Sequence, residues 1–368
     1  MTDFMLDSKK TNCLEISTVP QVWKLKCPPV MASFLTKFWA SRTVHLQQIW
    51  QTMRFLTSEM TRTGVSVDLK RHSIEDMWVR LLQQKTAGVS ILDDWILLHA
   101  AQLARQFNAS YESLCSGDSS GEGLHNCIID FRYWWTEELC SVYLEVVKQR
   151  LRKNCSSQDL DVFVACCLCG LRLLHPLMPH LSETLWQSLL RTERSILLEA
   201  FPQVPIAQDN LDFSESHFVK ESLNTVSRIK SWRVLLGLGK TYKGDIGVSG
   251  LPTDSRQQEA VRELCSALAN LQQIDSETMQ LTSIPCGAGI SLTFQSKDVN
   301  FDEAEKILRS RLSSQIKKAD ALKSKRKDGD QGCNLSRSET SRLTAIEHQI
   351  SELDSQLQIL LQGLKRDI

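Results

Sequence analysis

Near the end of this 368-residue chain Leu343, Ile346, Ile350, Leu353, Leu357, Leu360 and Leu364 recur at spacings of 3-4-3-4-3-4. That repeat puts all seven on one seam of an α-helix, and such a seam must be covered by a partner helix. A candidate partner lies just upstream, where Leu308, Leu312, Ile316, Ala319 and Leu322 repeat the idea less cleanly. Between them Ser324 to Arg337 holds Gly329 and Gly332 and no apolar periodicity, as a hairpin tip would. The expectation is an antiparallel coiled-coil hairpin over 301–368, each limb burying the seam of the other.

The region from 41 to 202 is periodic at helical spacing almost throughout. His45, Ile49, Met53 and Leu56 share one face, followed by Trp95 to Phe107, Ile128 to Leu151, Leu160 to Leu174 and Leu181 to Leu190. Ser116 to Gly123 reads as a loop, and His175-Pro176 and Met178-Pro179 as a helix break, because proline lacks the amide donor. This predicts an antiparallel bundle of about five helices. Between 203 and 300 the texture changes to a helix around Phe218 to Leu236, β-like runs at Asp245 to Gly250, Met279 to Ile284 and Ile290 to Phe294, and an amphipathic helix from Ser255 to Leu271. The fold class expected is therefore mainly α: a helical bundle, a small α/β insert and a helical arm. Residues 1–40, broken by Pro28-Pro29, read as an irregular lead-in.

Composition narrows the functions. The chain has 43 basic and 43 acidic residues, so affinity for a polyanion has to come from local clustering. The densest cluster is Lys317, Lys318, Lys323, Lys325, Arg326 and Lys327, six cations in eleven residues at the end of the first arm helix. It reads either as a solvated face or as a set of phosphate contacts. No apolar run approaches the ~20 residues of a membrane span. The 12 cysteines have no framework spacing, which suits free thiols in a reducing compartment, and Cys166 and Cys169 form a C-x-x-C without the second pair that a zinc site needs. The first 30 residues include Asp3, Asp7 and Glu15, no arginine and no apolar secretory core, so no targeting address is legible.

Three stretches of the bundle carry a family resemblance. Ile49-Trp50-Gln51-Thr52-Met53-Arg54-Phe55 is similar to N-K-x-W-N-x-x-R-F. Asp94-Trp95-Ile96-Leu97 joined to Trp135 through Lys148 resembles the stretch W-x-E-L-C-D-V-Y-L-E-x-x-K, with Ser141 in place of the aspartate. Leu174 to Trp186 is similar to L-H-P-F-M-P-F-x-T-E-E-L-W. Together they resemble the anticodon-binding domain of the valine, isoleucine and leucine group of aminoacyl-tRNA synthetases. The arm points within that group to the valyl enzymes, although it lacks their F-V-x-x-A-P tip. Lys240-Thr241-Tyr242 and the altered tip look closer to the mitochondrial form, leaving mitochondrial and cytoplasmic placements open.

The resemblance implies a partner, tRNA, of the valine-accepting kind. It also implies candidate tRNA-binding residues: Arg54 and Phe55 at the anticodon, with Lys317, Lys318, Lys323, Lys325, Arg326 and Lys327 carrying charge to the tRNA elbow. Read from the residues alone, Phe55 could equally be core and Arg54 a solvated helix charge. Trp95, Trp134, Trp135 and Trp186 fall at core spacing, and His175 and His180 flank a helix break, so all six are assigned structural roles. The family's ATP-handling signatures, H-I-G-H and K-M-S-K-S, do not occur in the sequence. The expectation is hence no catalytic residue, cofactor or metal in this chain, ATP belonging to the full-length family. A noncatalytic scaffold that binds protein through the coiled coil is the alternative.

Overall fold

A computed structural model describes residues 43–364, apart from 84–89, 118–121, 154–157, 192–193, 205–213, 239–245, 270, 272–281, 295–298, 300 and 325–336. The lead-in, the hairpin tip and Lys240-Thr241-Tyr242 lie outside the described residues. The bundle consists of α1 (Thr43–Thr63), α2 (Ile74–Gln83), α3 (Ile91–Cys115), α4 (Glu122–Tyr133), a π-helical segment (Trp134–Tyr143), α5 (Leu144–Lys153), α6 (Gln158–Leu174) and α7 (Pro179–Leu190). A short 3₁₀ turn, Ile196–Leu198, closes it. With α4, the π segment and α5 taken as one rod, the described residues form six bundle helices where the periodicity predicts about five. The addition is α2, ten residues long, whose start is fixed by the Ser73 hydroxyl accepting from the Asp76 amide at 3.2 Å. Among its residues with described burial, Ile74, Met77 and Trp78 are the deeply buried ones, a stripe too short to stand out in a sequence window.

The predicted break falls as expected: α6 ends at Leu174, and α7 starts with Pro179 in the first turn, where its missing amide costs nothing. A hydrogen bond of 2.7 Å between His175 Nδ1 and the Ser182 hydroxyl ties the two helix ends together.

Beyond the bundle come α8 (Ser214–Leu235), β1 (Ile246–Ser249), α9 (Ser255–Ala269), β2 (Thr282–Gly287) and β3 (Ile290–Phe294). The strands form an antiparallel sheet in the order β1-β3-β2, with Val248 and Ile284 both opposite Leu292. Buried Val248, Ile284, Leu292 and Phe294 supply the sheet's apolar face. One continuous apolar core runs from Ile49 in α1 through α8 and the sheet to Leu308 and Leu360 at the root of the arm.

The arm is α10 (Phe301–Ser324) and α11 (Arg337–Leu364), packed on each other, with α11 also against β2. Lys323 pairs with Glu347, while Lys318 and Gln349, and Ser310 and Gln356, line one groove between them, so the helices run antiparallel. On α11 the less exposed positions include Leu343, Ile346, Ile350, Leu353, Leu357 and Leu360, six of the seven seam positions read from the sequence, together with Gln356, Ile359 and Leu361. On α10 they include Ala304, Leu308, Leu312, Gln315, Ala319 and Leu322. Ile316, expected on the seam, is instead 42% exposed, because the 4-4-3-4-3 spacing set at Ala304 brings Gln315 inward. Among the described residues no helix is long and apolar enough to cross a membrane.

Candidate nucleic-acid interface

Helix α1 buries Ile49, Met53, Leu56 and Met60 and turns Trp50 and Arg54 outward. These two are one turn apart, so they sit on neighbouring positions of the exposed face. Arg54 is exposed, as a phosphate or base contact requires. Phe55 is placed differently: its ring is half buried, edge-on to Phe163 at 6.5 Å, with the Lys148 ammonium 5.3 Å from its centroid. Phe55 is thus engaged both by the core and by a cation. The open aromatic surface beside Arg54 belongs to Trp50, which is 46% exposed. Trp50 stands inside the motif read from the sequence, and its i, i+4 relation to Arg54 was the signal that could have singled it out.

Helix α1 lies against the π-helical segment, where the Thr52 hydroxyl meets the Cys140 thiol at 3.0 Å. The wider turn is evident where the Leu144 amide donates to the Leu139 carbonyl and the Ser141 hydroxyl donates to the Thr136 carbonyl at 2.7 Å, both five residues back. Bulky packing at its start accompanies it: Trp134 and Trp135 stand edge to face at 6.1 Å, and Phe131 leans on both. Gly170 of α6 makes room, since a β-carbon there would overlap the six-membered ring of Trp135. At the far end of the segment, fully buried Tyr143 donates to Asp93 at 2.7 Å. Burial, with the Asp93 carboxylate next, pushes its phenol well above the ordinary value. Trp95, Trp134, Trp135 and Trp186 are all buried, as their spacing predicts. Cys166, Cys167 and Cys169 are buried without any exposure, and burial pushes all three thiols up, Cys169 to about 12. Among the described residues no cluster could hold a metal ion.

The start of α3 fastens the bundle to the rest. Arg150 of α5 donates to Asp93 at 2.7 Å and, in a fork, to both carboxylate oxygens of Glu263 on α9 at 2.7 and 2.8 Å. Arg256 of α9 reaches Asp94 at 2.9 Å and Glu215 of α8 at 3.3 Å. His99 lies between Glu138 at 2.8 Å and the Ser216 hydroxyl at 2.7 Å. Burial, then the Glu215 charge, raises the Asp94 carboxyl to about 6 against the pull of Arg256.

On the arm, Lys317 and Lys318 are exposed near the outer end of α10. Lys323 is held by Glu347 at 2.9 Å, and that hydrogen bond raises its pKa. Lys325, Arg326 and Lys327 lie outside the described residues. Along the arm, Ser231 of α8 and Ser310, Arg311, Ser314 and Lys318 of α10 border a groove of about 590 Å³.

The described residues thus expose a Trp–Arg pair on the first bundle helix and, separately, Lys317 and Lys318 on the arm. Residues 93–243, from the start of α3 to beyond α8, match the family model described as the anticodon-binding domain of tRNA ligase. That stretch is similar to the anticodon-binding domain of the tRNA ligases. The chain is 26% identical over 191 residues to a valine–tRNA ligase of Fervidobacterium nodosum, covering 52% of this chain and 20% of that protein. It is 24% identical over 245 residues to one of Carboxydothermus hydrogenoformans, covering 64% and 26%. A mitochondrial valine–tRNA ligase of Macaca mulatta is 38% identical over 99 residues, 27% of this chain and 9% of the relative. The chain thus spans at most 26% of the length of these three relatives.

Proposed function

We propose that the chain is the tRNA-gripping part of a valyl-tRNA synthetase, with the bundle meeting the anticodon loop and the arm meeting the folded RNA elsewhere. The observation that carries this reading is the anticodon-binding match over 93–243, the later helices of a bundle whose first helix, outside that match, turns Trp50 and Arg54 outward. Unpaired anticodon bases can splay onto an open aromatic face, where each stacked base contributes about 1–3 kcal/mol, while a neighbouring guanidinium holds the backbone. Trp50 supplies that face and Arg54 the cation. Phe55, next to Arg54 in the chain, packs edge-on against Phe163.

The arm acts as a lever. The 24 residues of α10 span about 36 Å at 1.5 Å per residue, enough to carry Lys317 and Lys318 to phosphates far from the anticodon, with Lys325, Arg326 and Lys327 following them in the sequence. Such contacts position the RNA without reading its sequence. Valine-accepting tRNA is the preferred partner on the strength of the valine–tRNA ligase relatives, and the mitochondrial relative favours the mitochondrial setting over the cytoplasmic one. ATP use is assigned to no residue of this sequence. The test is an electrophoretic mobility shift with the full chain, valine tRNA and a hairpin RNA of equal length. Preferential retardation of the tRNA supports the proposal; failure to retard either at low salt overturns it and favours a protein-docking role for the arm.

A further inference from the structure

A second site stands apart from these surfaces, where the start of α2, the helices α6 and α7 and the extended stretch after the 3₁₀ turn meet around a cavity of about 310 Å³. That volume lies at the lower end of the range of small-molecule sites. Two of its lining residues hold buried nitrogen donors that find no hydrogen-bond partner among the described residues: the indole Nε1 of Trp186 and the Nε of Arg172. Trp186 is only 1% exposed, so its N–H has no general access to bulk water. Both terminal nitrogens of Arg172 are engaged, clamping Glu75 at 3.0 and 3.3 Å and the Ala200 carbonyl at 3.2 Å. The arginine is therefore held still, with its Nε–H left over.

An unpaired buried donor costs about 1–3 kcal/mol, and two on one cavity call for an acceptor oxygen. The other walls decide what that oxygen belongs to. Glu75 and Glu199 line the same cavity, Glu199 also meeting Arg194 at 2.7 Å, so a simple anion would enter beside two carboxylates. A ligand that brings its own cation removes that conflict. Leu168 and Phe201 supply apolar wall between the charged groups. We propose that this cavity binds a small zwitterion with a short apolar body, an apolar α-amino acid, its carboxylate accepting from Trp186 and Arg172 and its ammonium facing Glu75 and Glu199. The proposal does not depend on tRNA binding.

The test follows the indole N–H resonances of the full chain by ¹H–¹⁵N NMR, with Trp186→Phe identifying the Trp186 signal. L-valine is the probe, and isobutyrate and isobutylamine are its two halves. The Trp186 signal is expected to move and saturate with L-valine in the millimolar range, with each half binding at least tenfold more weakly. Glu199→Gln is expected to weaken L-valine about tenfold and isobutylamine with it, while isobutyrate, relieved of one like charge, binds no more weakly than before. A rise in the melting temperature of the unsubstituted chain with L-valine, exceeding that with either half, reads the same site without any substitution. A Trp186 signal that does not move with any probe at about 10 mM overturns the site. Equal responses to L-valine and either half overturn the zwitterion assignment.

Discussion

Replacing Arg150 with methionine tests how the bundle is fastened to the sheet and the arm. The Arg150 side chain is 13% exposed and serves two carboxylates that are nearly as buried, Asp93 at 14% and Glu263 at 16%. Burial opposes its charge, yet the hydrogen bond to Glu263 and the charge of Asp93 outweigh that and push its pKa up. Methionine keeps much of the stem's packing and removes the fork. Two like charges are then left close together, Asp93 still accepting from the Tyr143 hydroxyl and Glu263 from the Ser90 hydroxyl. Breaking a buried pair by deleting one partner costs about 3–5 kcal/mol, mostly from the charge left behind. Urea denaturation followed by tryptophan fluorescence should therefore give a loss in that range. At about 2–4 °C per kcal/mol, the corresponding drop in melting temperature is roughly 6–20 °C. Combining Arg150→Met with Asp93→Asn and Glu263→Gln removes the stranded charges and should recover at least half of the loss. A single-variant loss below about 1 kcal/mol would reduce the fork to an ordinary surface pair, and a triple variant no more stable than the single one would rule out stranded charge as the cause.

Four further outcomes are expected. Gly170→Ala forces a β-carbon into the Trp135 ring and should cost about 1–3 kcal/mol in the same denaturation assay, the overlap outweighing the roughly 1 kcal/mol that alanine gains over glycine inside a helix. The Asp94 carboxyl is raised in the folded chain from 3.8 to about 6, so its stability contribution is fully present below the unfolded value and is lost as pH rises through about 6; Asp94→Asn should flatten the stability profile between roughly pH 4 and 6 relative to the unsubstituted chain. Arg54→Ala and Trp50→Ala should lower affinity for valine tRNA more than for the same tRNA with another anticodon, measured by fluorescence anisotropy; equal losses would reduce both to nonspecific contacts. Neutralising Lys317, Lys318, Lys325, Arg326 and Lys327 should weaken tRNA binding and flatten the plot of log affinity against log salt by about 0.7–0.9 for each phosphate no longer neutralised, whereas an unchanged slope removes the arm from the interface.

Features that depend on local repetition were legible in the sequence. The α11 seam, the strands β1 and β3 and the Pro179 helix start are set by spacing within a few residues, and each lies where the pattern puts it. Misreadings arise where distant residues decide. Ile316 turns outward because the seam register is set at Ala304 by the docked root, a fact outside the limb itself. The packing of Trp135 at the start of the π turn needs the space left at Gly170, some thirty residues away, and nothing in Trp134–Tyr143 alone announces that contact. The ion pairs of Asp93 with Arg150 and of Asp94 with Arg256 span 57 and 162 positions and leave no periodic trace. The candidate site shows the same division: Arg54 is exposed as its helix face dictates, while the engagement of Phe55 is set by Phe163 and Lys148.

Bundle and arm are proposed to hold one folded RNA at two separated places, and nuclease footprinting of valine tRNA bound to the full chain can see both at once. Protection is expected at the anticodon loop together with a second patch remote from it, the second patch fading when the arm lysines are neutralised. Protection confined to a single region that is indifferent to both Arg54 and the arm, or none at all at saturating protein, would contradict a two-point grip.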